Sequence, residues 1–256
     1  MPERRRRPVV IGTIAVVVAI VAGTVVFGVT SSSSKKHPVH ADGHGYPPNS
    51  LTVNDAVGPV GVDPDAVAFA WHLGDPRPDA RQTAYRIVVS RSSDLTQSGA
   101  SGIVWDHTVK SAQQAFVPYA GPRLAADTQY WWTVETPGVT ATSGDRGATV
   151  FATPQAFVTG LRPADWKAQW VRPGPAQPGP FEYTYVRTDA RVSASPIVRA
   201  TAYVAAAHQY QLFIDGAKVA AGPSYSYPDE QYYEATDVTG ALHAGAENAI
   251  GVLHFW

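Results

Sequence analysis

The chain has 256 residues, of which 45% are hydrophobic, 11% aromatic and only 16% charged, with a formal net charge of −1. That balance supports a real core and excludes global disorder, and with Arg4 to Arg7 set apart at the N-terminus no basic stripe remains for nucleic acid. There is no cysteine, so a disulfide framework and thiolate metal ligands are excluded and stability must come from burial in domains of ordinary size.

Residues 1–8 form a basic tail, and an uncharged apolar run follows from Val9 to Val29. At helical rise such a run crosses a hydrocarbon core of roughly 30 Å, which predicts a transmembrane helix over 9–29 with the arginines on the cytoplasmic side. The competing reading is a cleaved signal sequence, whose apolar core is usually about 7–15 residues and whose Ala-x-Ala site is not evident after Val29. The expected location is the cell membrane with an extracellular C-terminal part, or the exterior if residues 1–30 are cleaved. Residues 30–50 are rich in Ser, Gly, Pro and His and read as a flexible linker. His37, His40 and His44 would share one helix face, but Pro38, Gly43 and Gly45 oppose a helix, so a solvated spacer and not a metal site is expected.

From residue 51 the pattern changes to period two. Strands are predicted over 66–73, 83–90, 102–109, 114–119, 128–136 and 148–153, separated by turn residues such as Gly74-Asp75-Pro76 and Gly121-Pro122. Short alternating strands with frequent turns predict a β-sandwich of the fibronectin type III or immunoglobulin kind over 51–156. Trp71 is the expected core indole. Leu124 and Tyr130 have the spacing of a tyrosine corner, in which the phenol bonds back to nearby backbone.

Residues 157–180 read as a junction ending in a proline-rich loop. A second β-rich block spans 181–256, with runs over 181–192, 196–207, 208–222, 230–239 and 248–256. Asp215-Gly216 between two apolar runs predicts a type I′ hairpin. The expected fold is therefore all-β: a fibronectin type III-like sandwich, then a second, jelly-roll-like sandwich, preceded by one transmembrane helix.

In order along the chain, QTAYRIVVS (82–90), WDHTVKS (105–111), YAGPRLAADTQYWWTV (119–134), FVTGLRPADWKAQWV (157–171), RATAYVAAAHQYQLFIDGAKV (199–219), SYSYPDEQYYEATDVT (224–239) and GAENAIGVLHFW (245–256) resemble one family. They are similar to the N-terminal region of bacterial α-L-rhamnosidases of glycoside hydrolase family 78. The resemblance covers roughly residues 50–256. It implies an inverting hydrolase of L-rhamnose-containing glycans whose catalytic carboxylates lie in a later barrel of paired α-helices. No segment matching that barrel occurs here, so no catalytic residue is carried over, and the chain is expected to be truncated before it. In WDHTVKS the residues Asp106-His107-Thr108 stand where the family commonly has Ser-Gly.

Inversion needs two carboxylates about 6.5–9.5 Å apart. Asp63/Asp65 and Asp75/Asp79 sit in turn contexts where aspartate commonly bonds its own backbone, Asp229 and Glu230 point to opposite faces of an extended chain, and in Glu234/Asp237 the aspartate ends a strand, where it bonds backbone amides. None forms an expected catalytic pair. No Gly-x-Ser-x-Gly elbow and no phosphate loop occurs, so no cofactor is expected. His208, His243 and His254 read as packing residues.

The loop Gly222 to Tyr233 interleaves four tyrosines with Pro, Asp and Glu, so Tyr225, Tyr227, Asp229, Tyr232 and Tyr233 are candidate carbohydrate contacts. The same tyrosines would equally serve packing against a neighbouring domain. The expected function is that of non-catalytic, exported β-modules of an α-L-rhamnosidase-like hydrolase, with rhamnose-containing carbohydrate and the membrane as partners. The alternative is a stand-alone membrane-anchored carbohydrate-binding or adhesion protein; a sensory ectodomain is weaker, because only eight residues precede the span.

Overall fold

The computed structural model describes residues 16–23, 45–95, 102–141, 150–171, 183–223 and 232–255. The chain divides into two compact units, one within Phe27–Trp166 and one combining Lys167–Trp256 with the N-terminal segment. Strand β1 (Val16–Gly23) belongs to the latter.

The Phe27–Trp166 unit is built from β2 (Asn49–Val53), β3 (Val60–Val62), β4 (Ala68–His72), β5 (Arg81–Ser90), β6 (Ile103–Val109), β7 (Val117–Pro118), β8 (Gln129–Thr140) and β9 (Gln155–Thr159). They form a three-stranded sheet, β2-β4-β7, and a five-stranded sheet, β3-β9-β8-β5-β6. Period-two alternation sends every second residue inward. Phe69 and Trp71 of the first sheet thereby meet Ile87, Val89, Tyr130, Trp132 and Phe157 of the second in one buried cluster. Phe69 and Trp132 rings lie 4.5 Å apart at the centre. Truncating either to alanine would cost about 3–5 kcal/mol.

Two polar networks fix this core. The Trp71 indole donates to Gln82 Oε1 at 2.9 Å, and Gln82 Nε2 donates to the carbonyls of Ser111 at 3.1 Å and Gln113 at 2.9 Å. The Tyr130 phenol oxygen accepts the Ala125 backbone N–H at 2.9 Å, the tyrosine-corner bond that the L-x5-Y spacing predicts. Of the predicted strands, 114–119 contracts to β7, and 148–153 differs. Residues 150–153 are not strand; Ala152 is buried and its N–H donates to the Val134 carbonyl at 2.9 Å. Pro154 ends that stretch, and the last strand is β9, which pairs antiparallel with β8 and parallel with β3.

The other unit contains β10 (Tyr183–Arg191), β11 (Arg199–Ala206), β12 (Gln209–Ile214), β13 (Ala217–Pro223), β14 (Glu234–Asp237) and β15 (Glu247–Phe255). Its sheets are β1-β11-β14 and β10-β15-β12-β13. Ala200, Ala202, Val204 and Ala206 of β11 face Tyr210, Leu212, Ile214, Ile250 and Val252 across the core. The β12–β13 turn has positive φ at both Asp215 (48°) and Gly216 (83°), as a type I′ turn requires. Asp215 Oδ1 also accepts the Ala249 N–H at 2.7 Å, which locks the turn to β15.

The N-terminal apolar run departs from the helix expected over 9–29. Val16–Gly23 lies as a strand antiparallel to β11, in register from Val16 opposite Ala206 to Gly23 opposite Arg199, and the rest of the run lies outside the described residues. Its Val/Ile content explains why: branched residues suit a pleated surface, and β11, buried on both faces, offers a free ladder edge. Among the described residues no helix is long and apolar enough to cross a membrane.

Candidate functional site

Of the candidate carbohydrate contacts, Tyr225, Tyr227 and Asp229 lie outside the described residues, as does Glu230. Tyr232 is 48% exposed. Tyr233 is half-buried and packs edge-on against the fully buried Tyr203 ring at 5.7 Å, so of the two described tyrosines one serves packing and one faces outward. Next in the chain, Glu234 accepts the Tyr210 hydroxyl, a bond that ties the two sheets of this unit together. Burial and this bond both push the Tyr210 phenol pKa upward. Gly222 beside them has no room for a side chain, since a Cβ would fall 2.1 Å from the Glu234 carboxylate.

Asp63, Asp65, Asp75, Asp106 and Asp237 are committed to local structure. Asp63 accepts the Asp65 N–H at 2.9 Å. Asp65 is gripped by Arg162 at 2.7 and 2.9 Å, with Arg123 at 3.5 Å, and the Arg162 hydrogen bonds pull its pKa down to about 2. Asp75 pairs with Arg77 and Asp106 with Arg86, and each is lowered by the guanidinium hydrogen bond. Asp237 accepts from the Thr239 N–H at 2.9 Å and hydroxyl at 2.6 Å. A glycosidase general acid has its pKa raised; every described carboxyl with a resolved shift is moved the opposite way.

Of the three histidines read as packing residues, His254 is buried, while His208 and His243 are exposed. His243 Nδ1 lies 3.1 Å from Asp215 Oδ2, and His254 is buried with its pKa lowered, first by burial and then by His208. No group of three or more potential metal ligands occurs among the described residues; His37, His40 and His44 are outside them.

A surface that the sequence reading did not single out lies on the outer side of the sheet β10-β15-β12-β13. Register places Tyr183, Phe255, Gln209 and Pro223 in one cross-strand row, and Tyr185, Leu253, Gln211 and Ala221 in the next. All alternate with core residues: Tyr210, Leu212, Val252 and His254 point the other way. Tyr183 and Tyr185 are 61% and 77% exposed, and the Tyr183 and Phe255 rings lie 4.9 Å apart. Beside them a depression of about 300 Å³ is lined by Gln209, Tyr210, Gln211, Ala221, Gly222 and Leu253. The available signal was the i, i+2 spacing of tyrosines in YTYVRT, which puts both rings on one face of a strand.

Comparison with known proteins places this architecture. Residues 48–162 match the family described as the Rha78A-like, N-terminal immunoglobulin domain. An α-L-rhamnosidase of Formosa agariphila is 25% identical over 232 residues, which is 80% of this chain and 24% of that protein. An α-L-rhamnosidase of Streptomyces avermitilis is 33% identical over 129 residues, 48% of this chain and 11% of that protein. The solved α-L-rhamnosidase of Dictyoglumus thermophilum superposes with a TM-score of 0.69 at 27% identity, over 82% of this chain and 25% of that one. The enzyme of Aspergillus terreus shares the fold, with a TM-score of 0.63 at 20% identity over 82% of this chain and 24% of that one. The chain thus spans about a quarter of the length of these three relatives from Formosa, Dictyoglumus and Aspergillus. As its motifs indicate, the chain is similar to the N-terminal region of α-L-rhamnosidases, and residues 48–162 match their Rha78A-like immunoglobulin domain.

Proposed function

We propose that this chain is a non-catalytic pair of β-modules from an α-L-rhamnosidase-like glycoside hydrolase, serving to scaffold the enzyme and to hold L-rhamnose-containing glycan. The observation that carries this reading is the extent of similarity: four-fifths of the chain aligns with only a quarter of an α-L-rhamnosidase, and the matched family is an N-terminal immunoglobulin domain. The carboxylates support it. Asp65, Asp75, Asp106 and Asp215 are held by arginines or backbone in roles that favour the ionised form, the reverse of what a proton donor to a leaving group requires. Export is part of the proposal and rests on the basic cluster ahead of the apolar run.

The test is to incubate the chain with a soluble rhamnose-containing polysaccharide and follow released reducing sugar. No release above the buffer control is expected. Steady release of L-rhamnose, abolished by substituting a carboxylate of this chain, would overturn the non-catalytic reading.

A further inference from the structure

We propose that the outer face of the sheet β10-β15-β12-β13 is a binding platform for a neutral saccharide. Its two end rows, Tyr183-Phe255-Gln209 and Tyr185-Leu253-Gln211, carry three aromatic rings and one leucine beside two amides, with no charged side chain among them. Exposed rings offer apolar surface to the C–H faces of a pyranose, and each amide supplies both donor and acceptor for hydroxyl groups. Gln209 and Gln211 are exposed and make no side-chain hydrogen bond among the described residues, and the same holds for the hydroxyls of Tyr183 and Tyr185. These groups stand beside an open depression whose volume, about 300 Å³, lies at the small end of ligand sites.

The sheet fixes the spacing. Alternate residues along a strand lie about 6–7 Å apart and neighbouring strands about 4.8 Å apart, so Tyr183 and Tyr185 form one edge of the platform and the glutamines stand two strands away. A chain of sugar units running along β10 would stack on both tyrosines while its hydroxyls reach Gln209 and Gln211. Charge selects the class of ligand. The two rows themselves hold no charged side chain; the next row carries Arg187, which is bonded to Asp189 at 2.8 Å, and Lys218 on the far strand, β13. Two exposed tyrosines and a phenylalanine on two rows without charge suit a ligand with apolar faces and neutral hydroxyls. The choice of L-rhamnose as the sugar rests on the function proposed above; the surface itself is argued from its own residues.

The experiment is a calorimetric titration of the full chain with an α-linked L-rhamnose oligosaccharide, repeated on Tyr185→Ala, Tyr185→Phe and Tyr232→Ala. Tyr185 is exposed and outside the core, so its replacement leaves the far-ultraviolet circular dichroism unchanged. Tyr185→Ala should weaken binding about tenfold, Tyr185→Phe by less than about threefold, and Tyr232→Ala not measurably. Binding that survives Tyr185→Ala but falls with Tyr232→Ala would move the sugar to the tyrosine loop and overturn the platform, while leaving a glycan-holding role intact. No binding by the unaltered chain would overturn both platform and glycan role. Sugar release in the polysaccharide assay would sink the non-catalytic reading alone. If Tyr185→Ala instead abolishes concentration-dependent self-association with no saccharide effect, the face is a protein interface and the proposal fails.

Discussion

Replacing Gln82 with leucine tests the polar network of the first unit most sharply. Gln82 is 2% exposed, and its amide meets three partners: it accepts from the Trp71 indole and donates to the Ser111 and Gln113 carbonyls. Leucine has a similar volume, so no large cavity opens and the cost is polar. The buried Trp71 N–H loses its acceptor, which costs about 1–3 kcal/mol. The two carbonyls belong to a partly exposed segment and find water, so each adds about 0.5 kcal/mol or less. The sum is about 1–4 kcal/mol. The assay is denaturant unfolding followed by tryptophan fluorescence, since five of the seven tryptophans (Trp71, Trp105, Trp131, Trp132 and Trp166) lie in this unit. The expected result is a lower midpoint at unchanged slope. A loss below about 0.5 kcal/mol would show that the network contributes nothing net and would refute the reasoning.

Tyr130→Phe removes the tyrosine-corner bond to Ala125 and should lower stability by about 1–2 kcal/mol, read from the same transition. Gly216→Ala meets no atom within 4 Å, so its cost, about 1 kcal/mol, comes only from the positive φ of the turn and appears in unfolding of the second unit by circular dichroism. The Asp65 carboxyl, depressed by Arg162 from 3.8 to about 2, stabilises the fold above its ordinary pKa; that contribution fades as pH falls through the window between the two values. Asp65→Asn should flatten this part of the pH–stability curve, and an unchanged curve would contradict the pairing. Deleting Val16–Gly23 strips β11 of a neighbour, so amide exchange at Arg199–Ala206 should accelerate while the Phe27–Trp166 unit is unaffected. Unchanged protection would mean that β11 does not need this strand.

Much of the sandwich was legible because its strands are half-buried. Where one face meets the core, alternation of the AVAFAWHL or QYWWTV kind is forced by the pleat, and β4, β5, β6 and β8 sit where period two puts them. The Asp215-Gly216 turn and the tyrosine corner were legible because each depends on local chemistry at fixed spacing. Three features were not. β2 and β3 are short and flanked by Asn, Gly and Pro, so their pairing comes from tertiary contacts and not from a periodic signal. Val16–Gly23 is apolar at every position but the last, and such a run has no period to separate a helix from a strand; its partner, β11, lies some 180 residues further along the chain. The tyrosine-rich loop drew attention by composition, but the platform at Tyr183 and Tyr185 needs two other strands to bring Phe255, Gln209 and Gln211 alongside. Juxtaposition across a sheet is a property of register, and register is written in pairs of distant segments.

The most direct measurement of the central claim is initial-rate kinetics of the purified chain on a chromogenic α-L-rhamnoside from acid to neutral pH. Two β-modules whose aspartates are tied to arginines and backbone should leave the rate at the uncatalysed background throughout. A saturable rate with a bell-shaped pH dependence would reveal a working acid and base within this chain and contradict the account.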